Sequence, residues 1–444
     1  MEYATSAIWR FISHSRLSIA LSWLAAFAIF FLAAAQVQAE DLNLQQLIDE
    51  ALKNSPDLHA SGYRTSAAEY RIPQVKTLPD PMITFGYQNE GFNKFTYGNP
   101  DNPNTQGIVA VAQTFPFPGK LALRGEAASK ESASIGAESE ALRLKIIAKV
   151  KEIYFDLYGT YKNIDLINER TNLFTQVEDA ALARYSTGKG SQQEVLMAQT
   201  EKYMLLEKQT MLRQKVEALD AIMNTTVGRP ADAQLGRPAD LPPAGMIYSL
   251  NELIAMANEQ SPEIKSLDKK IDAAEIKVAL AKKDYYPDFT ITGSYFPRGN
   301  NFQDMWSLTT TINIPIFERT KQRQAVNEAE ASLNEARSER ESARLMIASG
   351  IRDNYAMIKA SDKLMQLYKD GLIPKSLQDV ELSLSGYRTG SNDALTVITR
   401  LKSIIDYEIS YWLQWAEREK AIARVEASTG LSGAAINIRK GNRK

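Results

Sequence analysis

The sequence contains no cysteine and only two histidines, His14 and His59, among its 444 residues. Without cysteine there is no disulfide and no thiolate metal site, and we expect no lipid anchor on an N-terminal cysteine. The shortage of histidine argues against a histidine base, a Ser-His-Asp triad or a histidine-rich metal centre. The composition therefore predicts a protein that is not an enzyme and that holds neither a cofactor nor a metal.

An excess of charge of one sign is also missing, because 52 basic residues face 53 acidic ones. No block of like charge occurs, so nothing favours a nucleic acid partner. The segment Gly188-Lys189-Gly190 followed by Ser191 is not a phosphate loop, since it lacks the GxxxxGK[ST] spacing and follows a helical stretch. A hydrolase built on a helical scaffold thus has no supporting residues.

Long apolar runs are almost absent as well. The exception, residues 17–35, follows Arg10 and Arg16 and precedes Val37-Gln38-Ala39, a small-x-small cleavage pattern. We interpret residues 1–39 as a signal peptide, with a permanent anchor as the alternative because the run is long enough to span a membrane. No later segment reaches the ~18 apolar residues of a membrane helix, so any further insertion would have to use strands.

The chain contains an internal duplication, which is its most informative feature. Residues 44–58 (LQQLIDEALKNSPDL) align without gaps with residues 250–264 (LNELIAMANEQSPEI). Later features recur in the same order about 200 residues apart, which chance similarity among helix caps explains poorly. The matching features are Pro79-Asp80 with Pro287-Asp288, Thr114-Phe115-Pro116-Phe117 with Asn313-Ile314-Pro315-Ile316, Tyr185-Ser186-Thr187-Gly188 with Tyr387-Arg388-Thr389-Gly390, and Gly228 with Gly430.

These matches predict the domain organisation. The first repeat covers residues 40–228 and the second covers residues 250–431. Between them, residues 229–249 are rich in proline and glycine and should form an irregular, solvent-facing linker. Residues 432–444 end in a basic sequence and should form a disordered tail.

Each repeat should begin with short helices and continue with two strands. Alternating β-branched and aromatic residues predict strands at 82–88 and 107–115 in the first repeat. The same pattern predicts strands at 289–296 and 306–314 in the second repeat. The turns between the paired strands are polar.

A helical hairpin should follow the strands in each repeat. Residues 120–184 lack proline and favour helix, and about 65 helical residues reach roughly 100 Å. A helix of that length needs a partner, which the glycine turn at 188–190 supplies by reversing the chain into a helix at 192–226. The second hairpin should span 321–385, interrupted only at Gly371 and Pro374, and return at 394–428.

The strand count suggests a shared membrane sheet. Four strands of this length cannot close a barrel alone, and an open sheet leaves unsatisfied backbone groups in lipid. Two chains would pool eight strands around a filled interior, whereas three would pool twelve around a wider bore, which suits transport. The alternative is a soluble sheet at the end of a coiled coil.

The order strand-strand-hairpin, written twice after an export signal, resembles the TolC-like outer-membrane efflux factors. The resemblance covers about residues 44–431 and includes the Ser-Pro-acid helix starts, Pro116 and Pro315 after the strands, and the Tyr-x-x-Gly tips. It implies a mainly α fold with membrane β: a homotrimer with a 12-stranded barrel, in contact with outer-membrane lipid, on a periplasmic α-helical barrel. It also implies docking to a periplasmic membrane-fusion adaptor and an inner-membrane pump, most often proton-driven.

The resemblance further implies a periplasmic gate. In the family, a carboxylate early in the first return helix bonds to the tip tyrosine of the second hairpin, and these positions carry Glu194 and Tyr387. The arginine of the familiar gate is replaced by Asn392, and the paired aspartates of the pore mouth fall on Thr396 and Thr399. We therefore expect a gate with fewer ion pairs and no acidic cation site. As alternatives, Glu194 is a solvated helix residue and Tyr387 packs within its own tip.

The hairpin tips are the expected adaptor-docking surface. Met197, Met204 and Met211, spaced by seven, favour helix packing over binding of a soft metal. The tip sequence is most similar to the heavy-metal branch of the family, so heavy-metal cations or drugs are the candidate substrates. The docking residues are Tyr185, Thr187, Gly188, Gly190, Thr389 and Gly390.

The sequence thus predicts a passive exit channel in the outer membrane of a Gram-negative bacterium. The alternative from another class is a periplasmic coiled-coil adaptor or structural protein without a pore. Adaptors usually carry one hairpin between compact β domains, whereas this chain has two hairpins and only four strands.

Overall fold

The computed structural model describes residues 42–92, 96–242, 245–299 and 301–431. The predicted signal peptide and the predicted basic tail lie outside the described residues. Within the described part, each repeat contains two short helices, two strands and a helical hairpin, in that order. The elements are α1 Leu44–Asn54, α2 Pro56–Lys76, β1 Met82–Gln88, β2 Gln106–Phe115, α3 Lys120–Ser186, α4 Gln192–Val227, α5 Leu250–Gln260, α6 Pro262–Lys283, β3 Asp288–Phe296, β4 Met305–Asn313, α7 Gln322–Leu367, α8 Ile373–Thr389 and α9 Ala394–Thr429.

The element limits follow local chemistry closely. Pro56 and Pro262 occupy the first helical position, where a missing N–H is harmless. Ser249 and Glu252 form a reciprocal capping box at the start of α5. The strands begin or end within one residue of their predicted limits, which is the usual precision of such boundaries.

The four strands form one antiparallel sheet in the order β1-β2-β3-β4. Pairing of β2 with β3 joins the two repeats, with Gln113 opposite Ile291. The paired strands within each repeat match in register, since Ile83 lies opposite Val111 and Ile291 lies opposite Thr310. Strands β1 and β4 therefore form the two edges of the sheet.

Helix α3 is the central helix of the chain. It packs against its return helix α4, against α2 and α6, and along α9. Its middle contributes Tyr154 and Phe155 to a waist cluster, defined here as the buried residues around Tyr154, Tyr158 and Trp415. In the described part of the chain, no helix combines the length and the apolar character needed to cross a membrane.

The second hairpin differs from the prediction at Gly371 and Pro374. The helix is not broken there. A π-helical turn, Tyr368–Leu372, leads directly into α8. Proline has no N–H to donate and its ring clashes with the carbonyl four residues earlier, so the wider turn accommodates Pro374 without ending the helix.

The linker between the repeats is irregular, as expected, but it is fixed to the waist rather than free in solvent. Leu42 pairs with Pro238, and Ala239 donates its N–H to the Leu42 carbonyl at 3.1 Å. The Tyr154 hydroxyl donates to the carbonyls of Leu42 and Ala239. These contacts hold the start of the described chain and the linker against the middle of α3.

Candidate functional site at the hairpin tips

Glycine residues set the shape of both hairpin tips. Gly188 and Gly390 adopt φ angles of +69° and +86°, which residues with side chains rarely adopt. In the first tip, Lys189 and Gly190 donate their N–H groups to the Arg184 carbonyl. In the second tip, Ser391 donates to the Gly386 carbonyl at 2.8 Å. Each turn thereby satisfies the last carbonyls of the outgoing helix.

Each return helix begins with a side-chain cap beside the turn. Ser191 accepts the N–H of Glu194 at the start of α4, and Asp393 accepts the N–H of Thr396 at 2.8 Å at the start of α9. Caps of this kind fix the first helical turn. Glu194 and Thr396 are therefore held in defined positions close to the tips.

The two hairpins are joined by a hydrogen bond between side chains. Tyr387, fully buried at 0% exposure, donates its hydroxyl to Glu194 Oε2 at 2.8 Å. The partners come from α8 and α4, so the bond crosses from the second hairpin to the first. Burial, together with the bond to Glu194, raises the pKa of Tyr387 well above its usual range. The phenol therefore remains a neutral donor throughout the physiological pH range.

Arg184, at the end of α3, completes this contact and was not anticipated from the sequence. Its guanidinium lies 4.9 Å from the centre of the Tyr387 ring and donates to the Tyr387 carbonyl at 2.8 Å. A second donor reaches the Lys189 carbonyl at 3.3 Å within its own tip. Arg184, Tyr387 and Glu194 are called the tip lock below.

An arginine thus takes part in the tip contacts although Asn392 replaces the family's arginine. Asn392 donates to the Ser383 carbonyl of its own hairpin at 3.3 Å, whereas the hydrogen bond to the Glu194 carboxylate comes from Tyr387. A signal for Arg184 existed in the repeat, because the equivalent position of the second tip is Gly386. A Cβ on Gly386 would lie 2.6 Å from the Asn392 amide, so only the first tip has room for a large side chain there.

The remaining predicted gate residues, Thr396 and Thr399, hydrogen-bond within their own hairpin and not to the tip lock. Thr396 is half-buried and Thr399 is exposed. The Thr399 hydroxyl donates to the Leu395 carbonyl at 2.7 Å within α9. The structure therefore brings together two of the five predicted gate residues, Glu194 and Tyr387. The positions where the family has paired aspartates carry threonine hydroxyls instead of carboxylates.

The predicted docking residues occupy the outer surface of the tips. Tyr185 is half exposed, and its ring is not part of the tip lock. The hydroxyls of Thr187 and Thr389 donate to carbonyls of the helix turns that precede them. These bonds stiffen the tips and leave the backbone of both turns open to a partner.

A groove of about 450 Å³ runs between the first turns of α4 and α9. The ion pair between Lys402 and Glu201, at 3.0 Å, lies along it. Within the described residues, no group of His, Asp or Glu side chains is placed to hold a metal ion. The lining of the groove includes Gln192, Leu196, Met197, Thr200, Leu395 and Thr399.

The methionine stripe does not pack as predicted within a single chain. Met197 is half-buried against the cluster beneath the tips. Met204 and Met211 are 48% and 65% exposed. Spacing by seven places side chains on one stripe of a helix, but it does not specify what covers that stripe.

Comparisons with known proteins agree with this architecture. The sequence matches the family model described as outer membrane efflux protein over residues 47–225 and 253–400, and the unmatched gap contains the whole linker. It is similar to the outer membrane protein OprJ of Pseudomonas aeruginosa, at 21% identity over 88% of this chain and 84% of that protein. It is also similar to the cobalt-zinc-cadmium resistance protein CzcC of Cupriavidus metallidurans, at 22% identity over 84% of this chain and 86% of that protein.

A solved structure shows the same fold. The outer-membrane channel OprN superposes with a TM-score of 0.77 at 17% sequence identity, over 88% of this chain and 90% of that chain. At such low identity a structural match demonstrates the fold alone. The predicted fold class, two tandem copies of strand-strand-hairpin of the TolC-like type, is confirmed.

Proposed function

This chain belongs to the outer membrane efflux protein family, and we propose that three copies of it form a passive exit duct closed at its periplasmic end by the tip lock. As a family member it is the outer-membrane component of an efflux system of a Gram-negative bacterium. The alternative of a coiled-coil adaptor without a pore is thereby excluded. The gate, its residues and the partners of the tips are what we propose here.

The bond from Tyr387 to Glu194 is the observation that carries the proposal. It joins two hairpins whose separation would widen the tip of the helical bundle, and it is made between side chains far apart in the sequence. A hydrogen bond to a charged group is worth about 1.5–3 kcal/mol. Three copies in a ring would contribute three such bonds, enough to keep the resting duct closed and still within reach of a partner's binding energy.

The tips also carry the surface that a partner needs. Gly390 of the second tip lies against Arg184, since a Cβ there would be 3.4 Å from the guanidinium, and Tyr185 follows Arg184 directly in the first tip. A periplasmic membrane-fusion adaptor bound there would act directly on the contact between Arg184 and Tyr387. The adaptor would in turn connect the duct to an inner-membrane pump, which we propose to be proton-driven.

At the opposite end, the sheet offers two free edges for closure with neighbouring copies. Backbone groups on an unpaired edge are unfavourable in lipid, so β1 and β4 must find partners in the outer membrane. Three four-stranded sheets supply the twelve strands of the proposed barrel. Energy for transport would come from the pump, since this chain would supply only the conduit and its opening.

The substrate class follows from the conduit rather than from a binding site. The relatives include a cobalt-zinc-cadmium resistance protein and a solvent efflux pump outer membrane protein of Pseudomonas putida, so the same architecture serves unlike cargo. The predicted pore mouth carries Thr396 and Thr399 in place of carboxylates. We therefore propose a duct without strong cation selectivity, for heavy-metal cations or drugs chosen by the pump.

Conductance of the purified protein in planar bilayers tests the gate. Tyr387→Phe removes one oxygen and keeps the ring beneath Arg184, and Glu194→Ala removes the acceptor. We expect the double variant to raise the resting conductance severalfold. Tyr185→Phe is the matched control, because this tyrosine of the other tip makes no side-chain hydrogen bond with any described residue. A double variant with the conductance of the wild type would refute the gate.

A further inference from the structure

A polar junction fastens the two repeats together at the foot of the sheet. The backbone N–H of Phe117, just after β2, donates to Asp288 Oδ1 at 2.8 Å. Lys120 donates to the same oxygen at 2.9 Å and is itself almost completely buried. The Phe117 ring stacks on Tyr286 with centroids 4.5 Å apart. We call this arrangement the foot junction.

The duplicated sequence places a second acid–base pair of this kind elsewhere in the chain, although Asp284, which lies 3.2 Å from Lys120, and Tyr286 have Lys76 and Leu78 as their counterparts. In the sheet, Ile83 of β1 corresponds to Ile291 of β3, a separation of 208 residues, and Val111 of β2 corresponds to Thr310 of β4, a separation of 199. Applying these two separations to the foot junction assigns Asp80 as the counterpart of Asp288. They assign Ile316 and Arg319 as the counterparts of Phe117 and Lys120.

This second set is incomplete within one chain. Asp80 and Arg319 are exposed, and neither side chain makes an ion pair with any other described residue. Ile316 is 74% exposed, whereas its counterpart Phe117 is half-buried on Tyr286. Asp80 precedes β1 and Arg319 follows β4, so the two halves lie at opposite edges of the sheet and cannot meet within one copy.

We propose that the second foot junction closes between neighbouring copies of this chain. Asp80 of one copy accepts hydrogen bonds from the guanidinium of Arg319 of the next copy. The backbone N–H of Ile316 stays outside this contact, because it donates to the Ile314 carbonyl at 3.0 Å within its own copy. The occupant of both edges is thus a second copy of the same chain, in agreement with the opposite charges left open there. The inference rests on the proposed trimeric duct and adds the residues and the register of its contacts.

The same reasoning fixes how β4 pairs with β1 across the boundary. Between the repeats, Gln113 lies opposite Ile291 and Val109 lies opposite Tyr295. Adding 199 to the β2 residues gives their counterparts in β4, and subtracting 208 from the β3 residues gives their counterparts in β1. The transferred register places Ile312 opposite Ile83, and Leu308 opposite Tyr87. A slip of one residue would turn every side chain to the other face of the sheet, so the junction at the foot would also serve to fix the register.

The absence of native cysteine allows a direct test of that register. In the full-length chain, Ile83→Cys combined with Ile312→Cys places two thiols on directly opposed residues, within the Cα separation that a disulfide needs. Mild oxidation in isolated outer membranes should give covalent trimers on a non-reducing denaturing gel. The control, Tyr87→Cys with Ile312→Cys, keeps the same face but lies four positions away, about 13 Å along the strand, and should remain monomeric.

Charge reversal tests the junction itself. Asp80→Arg or Arg319→Asp alone should lower the temperature at which the detergent-extracted trimer dissociates, and the two changes together should restore it. Crosslinking by the control pair, or no crosslinking by the opposed pair, overturns the register. Single and double reversals that all dissociate like the wild type overturn the ion pair.

The native mass in detergent separates this inference from the function on which it rests. A trimer that fails to crosslink through Ile83→Cys and Ile312→Cys would refute the junction and leave the duct intact. A monomer would refute the trimeric duct as well. The conductance of the tip variants reports on the gate independently of either result.

Discussion

The two return helices, α4 and α9, have the same length and end at equivalent glycines, yet they lie in different surroundings. Position 203 of α4 and position 405 of α9 both precede the closing glycine by 25 residues, Gly228 in one case and Gly430 in the other. Tyr203 is 74% exposed, whereas Ile405 is 3% exposed. Along the same helices, Arg213 is exposed where Trp415 is buried in the waist cluster.

The difference arises from position in the chain rather than from the plan of the repeat. Helix α9 packs between α3 of the first repeat and α7 and α8 of the second. Helix α4 has α3 on one side and contacts α9 only weakly. Duplicating a unit inside one chain therefore places one return helix in the interior and the other at the flank, as it places β1 and β4 at the sheet edges.

The outgoing helices show the same inequality. Helix α3 runs without interruption for 67 residues. Its counterpart consists of α7, a π-helical turn and α8. The first repeat thus provides a continuous scaffold, whereas the second contains a local irregularity between the waist and the Tyr387 tip.

The largest expected effect is a loss of stability on substitution in the interior return helix, α9, which the flanking helix α4 should not show. Trp415 contacts Phe155 and Tyr158 with ring centroids 5.6 and 4.6 Å away. Because its removal leaves a cavity in the waist, Trp415→Ala should lower the free energy of unfolding by about 3–5 kcal/mol. Urea unfolding followed by far-ultraviolet circular dichroism measures this change.

Arg213→Ala, at the equivalent position of α4, is the matched control for that substitution. We expect its effect to stay within about 0.5 kcal/mol, as for most surface substitutions. Equal losses for the two variants would mean that the flanking helix is as tightly packed as the interior one, and the comparison would fail.

Deleting one residue from each outgoing helix tests the difference between the continuous helix α3 and the helix with a π-helical turn in the second repeat. A π-helical turn contains one residue more than the α-helix needs, so removing Gly371 together with Pro374→Ala should yield a continuous helix with Tyr387 still in place. Removing Glu169 from α3 instead rotates the rest of the helix by about 100°. That rotation should carry Arg184 away from Tyr387.

Resting conductance in planar bilayers distinguishes the two deletions. The Gly371 variant should conduct like the wild type, and the Glu169 variant should leak like the Tyr387 and Glu194 double variant. A leaky Gly371 variant whose trimer has normal mass would show that the π-helical turn itself holds the gate closed.

Much of this fold is predictable from local chemistry. Helix starts at Ser55-Pro56 and Ser261-Pro262, and the glycine turns at the tips, depend on residues adjacent in sequence, so their positions are predicted to within a residue or two. The repeat also indicates which segments are equivalent. Strand limits are predictable for the same reason, because period-two patterns are local.

The contacts that distinguish the two copies are not predictable in this way. The contact between Arg184 and Tyr387 joins residues 203 positions apart. Through it, Arg184 supplies an arginine to the tip although Asn392 occupies the position where the family has one. The exposure of Met204 and Met211 depends on which copy of the return helix faces outward. Gly371 and Pro374 indicate an irregularity, but not that a wider turn resolves it. Tertiary neighbours decide each of these points.

The smallest expected effect concerns a carboxylate at a position where the other repeat has a core residue. Asp220 of α4 corresponds to Ile422 of α9, which is buried in a separate apolar cluster. One oxygen of Asp220 is buried without a hydrogen-bond partner among the described residues. Burial, with the nearby charge of Glu217, raises the pKa of Asp220 to about 6.

A raised carboxyl pKa makes folding favour the protonated form, so stability present below pH ~4 is lost as the pH rises through about 6. Asp220→Asn removes this loss. Because the group is partly exposed and solvent screens it, we expect the variant to melt only roughly 1–3 °C above the wild type at pH 7.5, and at the same temperature near pH 4. Glu217→Gln should produce a smaller gain with the same pH dependence. If the difference in melting temperature between Asp220→Asn and the wild type were the same at pH 4 and pH 7.5, the Asp220 carboxylate would be as well solvated as on an ordinary surface. The two return helices would then not differ in their electrostatic environment at this position.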